Sequence, residues 1–514
     1  MHLPRRLAAL FAHPLAPYAL ALAIQLVFVG YVKDDAYIEY RYATNAAHGH
    51  GLVFNVGDPP VEGFTSFLWT VLLVVPALLH VPLLLFGKLA GAASLFGCIA
   101  LVAALVRRRG GDERTQQIAR FITATNASLL VWAQSGMESV ETALAVLAMA
   151  YLLERRRHLP AMLLAAAAAL LRPECHVLLL GAALVVTRRR APVAALIGLL
   201  LVAVVHLWRW RYFGGLVPNT ALVKGGDLVW RAGLHLLAEL MVTCLAGVTI
   251  ALSFVEAYRR RDDVALLSVG AIVIFCAYLV RVGRDEMFLV RLFLPVWPLA
   301  LVLAAPLLAR LPSAGVGRLW PLMPLAVCAT GIGFTAGRLH TIGYWALGVR
   351  SHVVLADLMS AHAQPGDLVV FQDLGQTPWA AMQLRFVDPI GLVDATIARI
   401  RWADRASPYL RQPSERGRAA IRDHLFALEP KLVAFVAYVP DELQTEVRQR
   451  ADSARTQHEK EELFASFVDW NPYHCGMHDD RRFAERYHFV DVVRRKDNYW
   501  FVLYERLTPG AEAG

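Results

Sequence analysis

Two adjacent carboxylates, Asp34 and Asp35, stand directly after the first apolar stretch of the chain, and Glu39, Arg41, Asp58 and Glu62 follow within the same polar segment. That segment, KDDAYIEYRYATNAAHGHGLVFNVGDPPVEGFTSFLW at residues 33–69, lies between two strongly apolar stretches. A general base needs a carboxylate beside the hydroxyl it deprotonates, and a second acid next to it can bind another hydroxyl or tune its neighbour's pKa. Acidic residues favour a helix start, and Tyr37, Ile38, Tyr42 and Ala43 recur at helical spacing, so the pair opens an amphipathic helix. On such a helix Asp34, Tyr37 and Arg41 share one face, and Asp35 and Glu39 share another. The plainer reading of the same pattern is a helix cap with solvated charge. Glycines and prolines between Gly49 and Gly63 then make a turn-rich loop, and VEGFTSFLW re-enters the apolar phase with Glu62 and Thr65 at its mouth.

The elements that must position these groups are read from hydropathy. Of 514 residues, 57% are hydrophobic and only 18% charged, with a mean hydropathy of +0.45, which describes a polytopic α-helical membrane protein. The net charge of +9 comes largely from short runs, RRR at 107–109, 155–157, 188–190 and 259–261, set between apolar stretches. Such runs mark cytoplasmic loops rather than a nucleic-acid-binding face. Arg5 and Arg6 precede a long apolar stretch without a small-residue cleavage site before Lys33, which reads as a retained first helix. Six cysteines give no legible disulfide framework.

At about 20 residues per crossing, the spans fall near 14–32, within 64–106, and at 117–134, 139–153, 191–208, 232–254, 263–281, 292–309 and 319–337, with a short pair at 159–171 and 175–187. Residues 64–106 are read as one full crossing plus an interfacial or re-entrant piece near 64–82, for about 11 crossings, N-terminus inside. The short pair suits helices shortened around a water-filled cavity that solvates Arg172 and Glu174. SGMESVE at 135–141, RPE at 172–174, RYFGGLVPNTALVKGGD at 211–227 and VGRDE at 282–286 then share the extracytoplasmic side with the Asp34–Asp35 loop. From 341 to 514 apolar runs shrink to strand length, as in DLVVF, RFVDPIGLV, KLVAFVAYV and YWFVLYE, with helical stretches between them. This is a soluble α/β domain on the same side, following a transmembrane domain over 1–340, and it carries no glycine-rich nucleotide fingerprint.

The chain resembles the GT-C glycosyltransferases, specifically the group that includes the mycobacterial terminal β-(1→2)-arabinofuranosyltransferases. The resemblance rests on DDAYIEYRYATNAAHGHGLVFN with VEGFTSFLW, on SGMESVET, LRPE, FGGLVPNTALVK and GRDEMFLVRLFLP, and on DLGQTPWAAMQLRFVDPIGLVDATIA. It implies transfer of a sugar from a polyprenyl-phosphate donor to a glycan, lipid or protein outside the bacterial cytoplasmic (inner) membrane, with an acid of the Asp34–Asp35 pair as base of an inverting displacement. Where that family often shows a GGD-type motif this chain has VGRDE, which keeps Asp285 but replaces a glycine by Arg284.

Charge placement points the same way. A lipid-phosphate donor lies at the membrane surface and needs cations at the outer ends of spans. Arg172, Lys224 and Arg291, with Arg41 on the Asp34 face, are the candidates for donor phosphate; Glu62, Glu138, Glu174, Asn219, Asp285 and Asp373 are the candidates for substrate hydroxyls. Each has a simpler alternative as an interfacial anchor or a helix cap. His48 and His50 lack a third metal ligand, and the YHCGMHDD cluster at 473–480, which could in principle hold zinc, reads better as a loop. No cofactor is expected, with a divalent cation left open. The competing reading is a glycolipid transporter or flippase, for which paired repeats with polar residues at mid-membrane are the sign; here the polar motifs gather on one side.

Overall fold

The computed structural model describes residues 13–224, 230–243, 246–283, 287, 289–310, 333, 336–337, 339–404, 413–468, 472–495 and 498–507. The chain runs through α1 (Ala16–Val27), the loop helix α2 (Asp35–Ala47), α3 (Phe67–Leu78), α4 (Leu83–Arg108), α5 (Glu113–Ala124), α6 (Ala127–Trp132), α7 (Ser139–Glu154), α8 (His158–Leu171) and α9 (His176–Arg188). It continues through α10 (Pro192–Phe213), the short α11 (Asn219–Lys224), α12 (Trp230–Val242), α13 (Ala246–Arg260), α14 (Asp263–Val282), α15 (Trp297–Leu308) and α16 (Leu339–His362).

Among the described residues three helices, α4, α10 and α14, are long and apolar enough to cross a membrane, and α12 with α13, bent by 82°, would make a fourth if the pair is one span. Helix length among the described residues thus does not confirm the expected count of about 11 crossings. A 12-residue helix such as α1, α3 or α15 rises about 18 Å against a hydrocarbon core of about 30 Å. The 64–106 stretch divides into the short α3 and the 26-residue α4. The predicted span 117–134 is two helices, because Asn126 caps α6 by accepting the Leu129 amide at 2.8 Å and so interrupts the ladder after α5. The predicted span 319–337 falls mostly outside the described residues.

The arginine runs converge. Arg109 pairs with Glu154 and, at 3.1 Å, with Asp262; Arg189 pairs with Asp263 at 2.9 Å; and Arg260 donates to the Arg109 carbonyl at 2.6 Å. Asp262 also caps α14 through the amides of Val264 and Ala265. One end of the bundle thus collects all four runs, and α2 lies on segments from the opposite ends of the same helices.

The C-terminal part is a five-stranded mixed sheet of β1 (Leu368–Val370), β2 (Arg385–Val387), β3 (Leu432–Tyr438), β4 (Tyr487–Arg494) and β5 (Tyr499–Arg506), ordered β2-β1-β3-β5-β4. β1 runs parallel to β2 and β3, while β5 is antiparallel to β3 and β4. One face packs under helices through Ile421, Leu425, Phe464 and Phe483. The other face shares a core with the first loop: Ile38, Tyr42, Phe54, Phe64 and Phe67 are buried with Phe371, Phe386, Val393 and Phe501. The domain is therefore seated on the loop that carries the paired aspartates, and its position defines theirs.

Candidate active site

Asp34 is gripped from the domain side. Its Oδ1 accepts the Gln376 amide at 2.8 Å, at the start of α17 (Gln376–Ala380), and a Cβ on Gly375 would lie 2.1 Å from its Oδ2, so only glycine fits there. Burial pushes the Asp34 carboxyl up, against the pull of the Gln376 amide, and the charge of Asp35 adds to the rise. Asp373, after β1, is held within 3.7 Å of Arg495, and burial likewise raises its carboxyl, with Asp34 contributing repulsion. Two carboxylates from opposite ends of the sequence thus face the same spot.

Asp35 acts electrostatically on Tyr31 and Glu39. Tyr31 lies within the fields of both Asp35 and Arg291, and Glu39, one turn on from Asp35, feels Asp35, Glu138 and Arg291. Burial, then the charge of Glu138, pushes the Glu39 carboxyl well up; one of its oxygens takes the Ser66 hydroxyl and the other, Oε2, has no partner. Glu138 is 1% exposed, with Oε1 on Arg172 Nη1 at 2.7 Å and Oε2 unpartnered. Arg291 enters through Leu289 and Val290, whose φ of 62° and 45° are left-handed for bulky residues, a strain on the order of 1 kcal/mol or more each. Its guanidinium lies 5.5 Å from the centre of the Trp132 ring and 3.7 Å from Met137 Sδ.

The structure gives the predicted site residues these surroundings. Arg172 is 5% exposed and paired with both Glu138 and Glu174, so it holds Glu138 in place. Glu174 is the other arm of that brace. Arg41, expected at donor phosphate, is 1% exposed and spends its donors on the carbonyls of Phe54 and Leu384, each at 2.7 Å, and of Pro378, fastening the first loop to the domain. Asp388 is fully buried and serves a turn, accepting the amides of Leu392 and Val393. His474 and Asp480 of the YHCGMHDD cluster accept from the Val436 and Arg482 amides, and among the described residues no group of three or more His, Cys, Asp or Glu side chains could hold a metal ion. Lys224 ends α11, and Asp285 lies outside the described residues.

Glu62 and Asn219 belong to a second locus. Glu62 Oε1 accepts from Arg209 Nε at 2.8 Å, Arg209 donates to His206 Nδ1 at 3.1 Å, and His206 meets His176 across 2.8 Å. The Asn219 amide donates to the Glu62 carbonyl at 3.0 Å and its side chain to the Gly391 carbonyl at 3.2 Å. Two residues escaped sequence reasoning. Lys88 sits alone in the apolar α4, and its ammonium bonds the carbonyls of Tyr31 and, at 3.0 Å, Gln134; a lone cation in a span is itself a signal. Asn55 pairs with both backbone groups of Phe386 as an extra rung on β2, for which the sequence carries no local sign.

Solved structures share this fold. ArnT from Cupriavidus metallidurans bound to undecaprenyl phosphate matches with a TM-score of 0.58 at 16% identity, over 95% of this chain and 97% of that one. ArnT in the apo state matches at 0.55 and 14%, over 94% and 96%. The fold is that of these ArnT structures. Neither match singles out the arabinofuranosyltransferase group. Residues 344–504 match a family described as "Domain of unknown function (DUF8728)", and no curated protein sequence matches.

Proposed function

We propose that this chain is an inverting glycosyltransferase that moves a sugar from a polyprenyl-phosphate donor to an acceptor hydroxyl at the extracytoplasmic face of the bacterial cytoplasmic membrane. One observation carries the reading: a carboxylate pair on the first-loop helix is flanked by buried acids with unused oxygens and by the cations Lys88 and Arg291, in a fold that in ArnT accompanies undecaprenyl phosphate.

The roles divide between the two aspartates. Asp34 is engaged by Gln376 and pressed against Gly375, so it seats the domain. Asp35, whose charge acts on Glu39, is the base. The acceptor hydroxyl gives its proton to Asp35 as its oxygen bonds the anomeric carbon from the side opposite the phosphate. The bond from that carbon to the phosphate oxygen breaks, and polyprenyl phosphate leaves with the electron pair. Lys88 and Arg291 offset the charge that develops there. Glu39 Oε2 and Glu138 Oε2 accept from sugar hydroxyls, with Arg172 holding Glu138 in place. The sequence resemblance supports a pentofuranose, arabinofuranose, as the sugar, and a surface glycan as acceptor.

The test is transfer by the purified full chain in lipid nanodiscs, supplied with decaprenyl-phosphate arabinofuranose or with polyprenyl-phosphate hexoses. Product with inverted anomeric configuration supports the reading. Movement of glycolipid across proteoliposomes with no glycosyl transfer would overturn it in favour of a flippase.

A further inference from the structure

A cavity of about 450 Å³ opens between the 61–65 turn, the end of α10 with the following FGGLV stretch, and α18 (Ala395–Ala403). Its volume is within the range that holds a small ligand. Phe213 forms an aromatic wall, edge-on to Phe64 at 6.0 Å and to Tyr212 at 4.8 Å, while Gly214 and Gly215 leave the floor without side chains. Arg399 stands exposed at the rim.

Glu62, Asn219 and Arg399 are the polar residues of the lining. Glu62 is 3% exposed, yet it lines the cavity. Arg209 holds only Oε1, and Oε2 has no hydrogen-bond partner. The chain from Arg209 through His206 to His176 fixes the guanidinium and hence the carboxylate. A buried acceptor left open is costly unless something donates to it. A carboxylate in the lining disfavours a phosphate beside it, so the complementary ligand donates hydrogen bonds and presents an apolar face to an aromatic ring. A sugar residue has both properties.

We infer that this cavity is a glycan subsite that binds the acceptor, separate from the Asp34–Asp35 centre, with Glu62 accepting from a sugar hydroxyl and Phe213 stacking beneath the ring. The inference rests on the glycosyltransferase reading for the word acceptor, but not for the binding of sugar.

Two variants probe it. Gly215→Trp fills the cavity from a position where an added Cβ meets only the Val217 carbonyl at 3.5 Å, and Glu62→Gln keeps shape while removing the charge. Binding is followed by saturation-transfer NMR on the full chain in nanodiscs, with an α-(1→5)-linked arabinofuranosyl trimer and maltotriose as probes. The wild type should bind at least one probe and Gly215→Trp should lose it; in transfer assays both variants should raise acceptor KM at least tenfold and leave donor KM unchanged. Sugar binding without any transfer keeps the subsite and removes the enzymatic reading. No binding of either probe, or a rise in donor KM alone, which would mark a groove for the lipid donor, overturns the subsite.

Discussion

The proposed mechanism gives the neighbours Asp34 and Asp35 separate tasks, so their variants should separate as well. Asp35→Asn removes the base, and general-base catalysis contributes about 10²–10⁴-fold; kcat should fall at least 100-fold with donor KM unchanged. Asp34→Asn keeps an oxygen for the Gln376 amide, so kcat should fall no more than about tenfold, a difference read directly from initial rates. Asp388 offers a pH test in the soluble part. Burial raises its carboxyl to about 6, above the ordinary aspartate range, so the folded state holds the proton more tightly than the unfolded chain. The resulting stabilisation is fully present below about pH 4 and is lost as pH rises through 6, on the order of 3 kcal/mol across that window. Thermal unfolding should show this decline between pH 4 and 6.5 in the wild type, and Asp388→Asn should flatten it.

Arg41 is the pin between α2 and the C-terminal sheet. Losing it leaves the buried carbonyls of Pro378 and Leu384 without this donor, each costing about 1–3 kcal/mol, while Phe54 keeps the Asn45 side-chain amide. Arg41→Met should therefore lower the midpoint of thermal unfolding by several degrees and speed hydrogen exchange in α2 and at Phe386. Arg41→Lys should not restore either, because one ammonium cannot span the carbonyls that the planar fork reaches. This arginine also shows where sequence reading runs out. A clamp and a phosphate ligand look alike when the partners are backbone atoms more than 300 positions away, as Pro378 and Leu384 are. The strands β1, β2, β3 and β5 were legible from their apolar runs, whereas β4 was not: its YHFVDVVR mixes exposed His488 and Arg494 with buried Phe489 and Val490, and its register shifts between Phe489 and Asp491. The short pair α8 and α9 was legible because RPE interrupts two apolar runs, but the burial of Arg172 depended on Glu138 arriving from 34 positions earlier.

At the scale of the whole molecule, the four arginine runs and the paired aspartates occupy opposite ends of one bundle, and the C-terminal sheet covers the aspartates. By the positive-inside rule we propose that the arginine end faces the cytoplasm. Alkaline phosphatase fused at the C-terminus should then be active, and green fluorescent protein fused there dark; the reverse pattern would invert the orientation. The shared core of Phe54, Phe64, Phe386 and Phe501 ties the domain and the first loop into one packed body. Gly375→Val drives a side chain into Asp34 and should abolish transfer while leaving the bundle folded, as judged by monodisperse elution in detergent.

The central claim is that Asp35 removes the acceptor proton in a displacement from a polyprenyl-phosphate sugar. The most direct measurement is single-turnover transfer from decaprenyl-phosphate arabinofuranose by the wild type, Asp34→Asn and Asp35→Asn, each saturated with donor in nanodiscs. The account predicts inverted product from the wild type, a rate within about tenfold of it for Asp34→Asn, and a loss of at least 100-fold for Asp35→Asn. Full transfer by Asp35→Asn, with the loss appearing in Asp34→Asn, would contradict it.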